Sequence, residues 1–196
     1  MAAQPAETLR RVLLDASLAL IEAEGLEAFS MREVARRAGV SHQAPYHHFE
    51  NREAILAAIV AEGFQELRDR CIAARDGETE PAKRFTAIGR AYLDFALRRP
   101  AHFKLMFRSE LVREDKHSET LACAQGAYDV LLQAADEVAK HSGHDHRLIV
   151  VLAWSTVHGL ATLMLEGKLD KAVLAPDERE QAGYAAIVML EALWKP

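Results

Sequence analysis

The densest hydrogen-bonding chemistry in this chain lies in one run, Ser41-His42-Gln43-Ala44-Pro45-Tyr46-His47-His48, closed by Phe49. Imidazoles, an amide, a phenol and a hydroxyl offer short-range donors and acceptors, not a nucleophile beside its base. An amide such as Gln43 pairs both polar edges of adenine, a methyl such as Ala44 suits thymine, and His42 can accept or donate. The set therefore suits base edges in a DNA groove. Around it, residues 30–52 carry Arg32, Arg36, Arg37 and Arg52 against Glu33 and Glu50, a local balance of +2 inside a chain of formal net charge −5. Any contact with nucleic acid must be local. A second pair, Trp154 and His158, is spaced four apart, so a helix presents indole and imidazole to one neighbour. They could orient a polar group in an apolar pocket, or be a hydrogen-bonded pair in the core; the sequence leaves both open.

Other chemistries find no support. Ser155 precedes His158 by three residues, but the chain contains no Gly-x-Ser-x-Gly elbow, no His-Glu-x-x-His and no phosphate-cradling glycine loop. No enzyme and no catalytic residue is expected. His141, His144, Asp145 and His146 read as a solvated turn, since metal ligands need orienting partners that a polar loop rarely supplies. No metal and no cofactor is expected. Cys71 and Cys123 lie on apolar helical patterns without a Cys-x-x-Cys, which argues against a disulfide framework or zinc ribbon and for a reducing, cytoplasmic setting. Residues 9–21 resemble a signal core, but Asp15 interrupts them and Glu22 and Glu24 follow. Residues 148–165 hold no Lys, Arg, Asp or Glu. Ser155, Thr156, His158, Gly159 and Thr162 interrupt that stretch, so it reads as a bundle helix buried on nearly all sides, with no membrane partner.

The positioning elements follow from composition and period. With 196 residues, 50% hydrophobic and 27% charged, and only 10 Gly and 6 Pro, the chain has a core but too few turn signals for an all-β fold. About nine helices and no strand are expected, an all-α fold. The first runs from about Glu7 to Glu24 on Leu9, Val12, Leu13, Ala16, Leu20 and Ala23, and stops at Gly25. Ser30 with Glu33 forms a capping box that opens a short helix on Met31, Val34, Ala35 and Ala38, ending at Gly39. Its first amides, with Ser30, make a phosphate site. Ser41 caps a third helix from His42 to His48, and Asn51 caps a long fourth one carrying Ile55, Leu56, Ile59, Val60, Phe64, Leu67 and Cys71. Helices are then expected after Pro81 to Arg99, from Pro100 through Phe107, from about His117 to His141, from Arg147 to Gly167, and, after a loop at Pro176, from Asp177 to Trp194. Pro45 removes one early hydrogen bond of the third helix and leaves base assignments uncertain by about one residue.

The string from Gly39 to Phe49, followed by Asn51-Arg52-Glu53-Ala54-Ile55-Leu56, resembles the tetracycline-repressor (TetR) family over roughly residues 8–60. The resemblance implies a three-helix helix-turn-helix DNA-binding domain over 1–52 and a helical-bundle ligand-binding and dimerisation domain over 53–196. It further implies phosphate contacts for Tyr46, His48 and Arg52 and a base or sugar contact for His47, with Ser30, Arg32, Ser41, His42, Gln43 and Ala44 completing the DNA-contact set. Ala153-Trp154-Ser155-Thr156-Val157-His158-Gly159 and the Pro100–Phe107 segment are similar to one C-terminal subgroup with a Trp-x-x-x-His-Gly signature.

Ligand lining is then expected from Tyr92, Phe95, Phe103, Met106, Phe107, Cys123, Tyr128, Trp154, His158 and Met164, although Met and aromatic residues at helical spacing equally serve a core. Ala182, Gly183, Ala185 and Ala186 in the last helix, and Gly159 and Ala161 in the charge-free one, are small enough for close helix packing. Those two helices are the candidates for a homodimer, or pack within one subunit. The function so implied is a dimeric regulator of double-stranded DNA, a repressor released from a palindromic operator by a small apolar or amphipathic effector. The competing readings are a helical protein-interaction dimer, a ligand-independent DNA binder and an activator.

Overall fold

The computed structural model describes residues 6–113, 116–169, 175 and 178–194. Among them the chain forms eight α-helices, three short 3-10 helices and no strand. The α-helices are α1 (Ala6–Glu24), α2 (Met31–Arg37), α3 (Arg52–Asp76), α4 (Pro81–Arg98), α5 (Pro100–Met106), α6 (Ser118–Ser142), α7 (His146–Leu165) and α8 (Arg179–Leu190). The expected loop at Pro176 and helix start at Asp177 lie outside the described residues. The last expected helix ends as a 3-10 turn, Glu191–Trp194.

Two compact units arise. One takes the chain up to Gly63 together with Ala101–Cys123; the other takes Phe64–Pro100 and the chain from Ala124 onward. In the first, Leu13, Leu14, Leu20, Val34, Ala35, Ile55 and Ile59 are fully buried. This core joins α1, α2 and the first half of α3. The start of α6 is tied to α3 by the Thr120 hydroxyl, which donates to the Ala57 carbonyl at 3.1 Å. Gly63 lies inside α3, where glycine costs roughly 1 kcal/mol against alanine. A Cβ there would stand 2.6 Å from Met106 Sδ and 3.3 Å from His102 Cβ, so the missing side chain lets α5 press onto α3.

In the second unit α4 is the central element, packed on α7, α8 and the final turn. Phe95, Leu93, Val138, Ile149 and Met164 are buried there, and the Phe85 and Trp194 rings meet edge to face at 5.4 Å. A Cβ on Gly183 would come within 2.9 Å of Leu93 Cδ2 and 3.1 Å of Met164 Sδ, so this small residue serves packing within the subunit. Gly159 has open space in front of it.

The expectation that the charge-free helix is buried on nearly all sides is overturned. Ile149, Val150, Val157, Ala161 and Met164 of α7 are buried, but Leu148 is 68% exposed and Val151 65%, with Leu152, Trp154 and Leu163 also outside. Among the described residues α7 packs chiefly on α4 and α8, and these exposed side chains lie outside that packing. By length and composition α7 could cross a bilayer, although its buried stripe is committed to protein contacts.

Thr86 of α4 is a costly residue of this core. Its side chain is buried and, among the described residues, its Oγ1 has no hydrogen-bond partner. Replacing an unsatisfied buried hydroxyl by a methyl of the same shape removes a desolvation cost of about 1 kcal/mol or more. Thr86→Val is therefore expected to raise the melting temperature by about 2–4 °C. A lower melting temperature would show that the hydroxyl is satisfied after all.

Candidate nucleic-acid interface

The segment expected to read DNA is built from two short elements and the turn between them. Ser30 is extended (φ −147°, ψ 153°), and its Oγ accepts the Glu33 amide at 3.2 Å, capping α2 as expected. The Glu33 carboxylate does not complete the box. It accepts Arg36 Nε at 2.8 Å and Nη2 at 2.6 Å, and Arg37 Nε at 3.3 Å. Chiefly through the Arg36 hydrogen bonds, with Arg37 adding, its pKa is held down at about 2. Arg37 also pairs with Glu24. Helix α2 stops at Gly39, whose φ of +68° is the left-handed region that glycine tolerates. The Val40 amide reaches back to the Ala35 carbonyl at 3.1 Å and the Gly39 amide to Arg36 at 3.3 Å, a Schellman closure.

Beyond it, the expected α-helix from His42 to His48 is corrected. Ser41 makes no side-chain cap; residues 42–43 form a turn, and Ala44–His47 is a 3-10 helix. Pro45 is the reason: it has no amide to give to Ser41, and the chain tightens to i→i+3 bonds instead. Ala44 bonds Ser41 at 3.0 Å, Tyr46 bonds Gln43 at 3.1 Å, and His48 bonds Pro45 at 3.0 Å. Pro45 and Phe49 are the inward anchors, both buried, with the Arg10 guanidinium 5.3 Å over the Phe49 ring. Ser41, His42, Gln43, Tyr46 and His47 are left exposed, Tyr46 at 57%, while Ala44 and His48 are half-buried. Neither the winding nor the anchors were read from the sequence, although the four-residue spacing of Pro45 and Phe49 signals one inward face.

Arg52 opens α3, after Asn51 caps it by accepting the Ala54 amide at 3.0 Å. Its Nη2 donates to the Leu26 carbonyl at 3.1 Å and its guanidinium covers the Phe29 ring at 5.4 Å, so it ties the start of α3 to the turn Leu26–Ala28. Exposed Arg32 makes no ion pair among the described residues. Next to Arg52, Glu53 accepts the Arg113 amide at 3.0 Å and lies 3.3 Å from His117 Nε2, and its pKa is lowered, first by that amide. A hollow of about 300 Å³ lined by Asn51, Arg52, Glu53, Leu56 and Leu111 sits beside them.

The residues expected to line a ligand site separate. Phe103, Met106, Phe107 and Cys123 belong to the first compact unit, with the Phe103 and Phe107 rings 5.2 Å apart. Tyr92, Phe95, Tyr128, Trp154, His158 and Met164 belong to the second. There the Trp-x-x-x-His pair converges on one phenol: Tyr92 Oη is 2.7 Å from His158 Nδ1, and the Trp154 side chain hydrogen-bonds the same oxygen. Burial pushes the Tyr92 pKa up and that of His158 down, so the phenol and the imidazole are both neutral near pH 7. The Tyr128 ring lies 5.5 Å from Trp154. The polar group that these two residues meet is the Tyr92 hydroxyl of α4. Of the histidines at the turn before α7, His146 Nε2 meets the Leu132 carbonyl at 3.2 Å, and Asp145 caps α7 by accepting the Arg147 amide at 2.8 Å.

Comparison with known proteins agrees with this arrangement. A family model for the tetR family of bacterial regulatory proteins matches residues 13–59, and one for a tetracyclin repressor-like C-terminal domain matches residues 85–188. The HTH-type transcriptional regulator BetI of Rhizobium meliloti is 27% identical over 94% of this chain and 75% of its own length. A protein of unknown function from Rhodococcus sp. RHA1 is 31% identical, covers 94% of each chain and superposes with a TM-score of 0.76. The TetR family transcriptional regulator PfmR from Thermus thermophilus shares the fold at 17% identity, over 92% of this chain and 97% of its own, with a TM-score of 0.71. A capped helix, a glycine turn and an outward-facing recognition segment, followed by a helical C-terminal region and matched along most of the chain, make it a member of the TetR family of DNA-binding transcription regulators.

Proposed function

We propose that the protein is a cytoplasmic, homodimeric repressor that holds a palindromic operator and lets go when a small apolar or amphipathic effector enters its C-terminal region. The observation that carries the dimer is the apolar face on α7, α8 and the final 3-10 turn. Leu148, Val151 and Leu152, with Val188, Met189 and Leu193, expose a surface that a second copy would cover, and Gly159 offers a close crossing point. One recognition segment reads few base pairs; two, related by a two-fold axis, read an inverted repeat. Functionally the chain divides at 52/53, although α3 carries residues of both compact units.

The DNA contacts are assigned to Ser30, Arg32, Ser41, His42, Gln43, Ala44, Tyr46, His47, His48 and Arg52. The effector region centres on Tyr92 of α4 together with Trp154 and His158, the two side chains of the Trp-x-x-x-His-Gly pattern on α7. Its neutral hydrogen-bonding groups in aromatic surroundings suit an uncharged polar head on an apolar body.

Genomic fragments captured by the purified protein should contain inverted half-sites about one helical turn apart. Compounds suggested by the neighbouring genes should weaken that binding ~5–150-fold. Fragments without inverted symmetry, or an operator affinity that no such compound alters, would refute the reading. Tyr92→Phe removes the hydroxyl shared by Trp154 and His158 and is expected to blunt the response to effector while leaving effector-free DNA affinity within about two-fold.

A further inference from the structure

The charge on the DNA-reading unit is unusual for its task. Residues 1–63 contain six arginines and no lysine against nine carboxylates. Duplex binding draws most of its affinity from cations that displace counterions from phosphates. Here the cations near the recognition segment are largely engaged within the protein. On α1, Arg10 lies over Phe49, Arg11 pairs with Asp15 and Glu62, and Glu24 takes Arg37. On α2, Arg36 and Arg37 share Glu33, which leaves Arg32. At the start of α3, Arg52 is bound to the Leu26 carbonyl, Glu53 is engaged with Arg113 and His117, and Glu50 stands exposed just before it. What the segment does present outward, beside the Tyr46 phenol, is imidazole: His42 and His47 exposed and His48 half-buried.

We propose that His42, His47 and His48 supply, as imidazolium ions, much of the phosphate-neutralising charge of the recognition segment, so that duplex binding takes up protons and tightens with acid. Imidazole is the side chain that gains charge between pH 8 and pH 5. A phosphate within reach stabilises the charged form, and by linkage a proton taken up on binding makes the affinity rise as pH falls. The three rings lie on one seven-residue stretch of chain, from the turn at His42 to His48 at the end of the 3-10 helix.

The test measures anisotropy of a labelled, mixed-sequence duplex of about 30 base pairs, so it depends neither on the operator nor on the effector. Wild-type protein should bind on the order of ten-fold more tightly at about pH 6 than at about pH 8, with a steeper salt dependence at the lower pH. The variant H42Q/H47Q changes two exposed side chains and should lose most of that gain, so that its affinities at the two pH values nearly coincide. An affinity for duplex that is equal at the two pH values, no binding at either, or a double variant that keeps the full acid gain would each overturn the proposal. A double variant weakened equally at both pH values would assign these rings a neutral hydrogen-bonding role and overturn it as well.

Discussion

The double substitution Val151→Glu/Met189→Glu is expected to yield a folded monomer that has lost operator affinity by ~10²-fold or more. Val151 on α7 and Met189 on α8 are 65% and 76% exposed, so neither change removes a contact from the core of the subunit. The same two carboxylates at the centre of a dimer interface would be desolvated without partners, which costs several kcal/mol. Linking two recognition segments makes the second half-site contact intramolecular, and that gain is commonly 10²–10⁴-fold. Light scattering reads the mass, circular dichroism the fold, and titration against the captured operator the affinity. A variant that stays dimeric with wild-type affinity would move the interface elsewhere on the surface. A variant that is monomeric yet binds as before would show that the operator is read by one copy.

Much of the local structure was legible because each signal has a single physical cause. Ser30 and Asn51 accept the amides that a helix start leaves without partners, and both caps are present. Gly25 and Gly39 sit where the chain needs positive φ, and both have it. Legibility ended where two causes compete. At Pro45 the apolar and capping pattern favoured an α-helix, but the missing amide decided for a 3-10 turn. On α7, an apolar composition implied burial on all sides, yet composition cannot say whether the covering surface belongs to the same chain. The spacing of Trp154 and His158 puts both on one face of a helix; that the group they meet is Tyr92, 62 and 66 residues away along the chain, follows only from the packing of α4 on α7. Similarly, counting charges in residues 30–52 gives +2, but the geometry shows how many of those arginines are already engaged.

Gln43→Ala and Arg32→Ala are expected to weaken operator binding in two distinguishable ways. Gln43 is exposed just ahead of the 3-10 turn, where its side-chain amide can pair both polar groups on an adenine edge. Losing such a pair costs about 1–3 kcal/mol, so affinity for the captured operator should fall ~5–150-fold. Binding to a mixed-sequence duplex should be nearly unchanged, and selection should show relaxed preference at one base pair in each half-site. Arg32 carries a full charge at the second position of α2, close to its N-terminal amides, where a phosphate would bind. Its loss should weaken operator and mixed-sequence binding alike and reduce the salt slope by about one per subunit. The opposite pattern, a Gln43→Ala variant with unrelaxed specificity or an Arg32→Ala variant with an unchanged salt slope, would mean that the segment docks in another register. The tighter winding at Pro45 makes that register the natural alternative, because a 3-10 turn advances about 120° per residue where an α-helix advances about 100°. His47 and Tyr46 would then face the bases in place of Gln43, and the position losing its preference in the selection would shift accordingly.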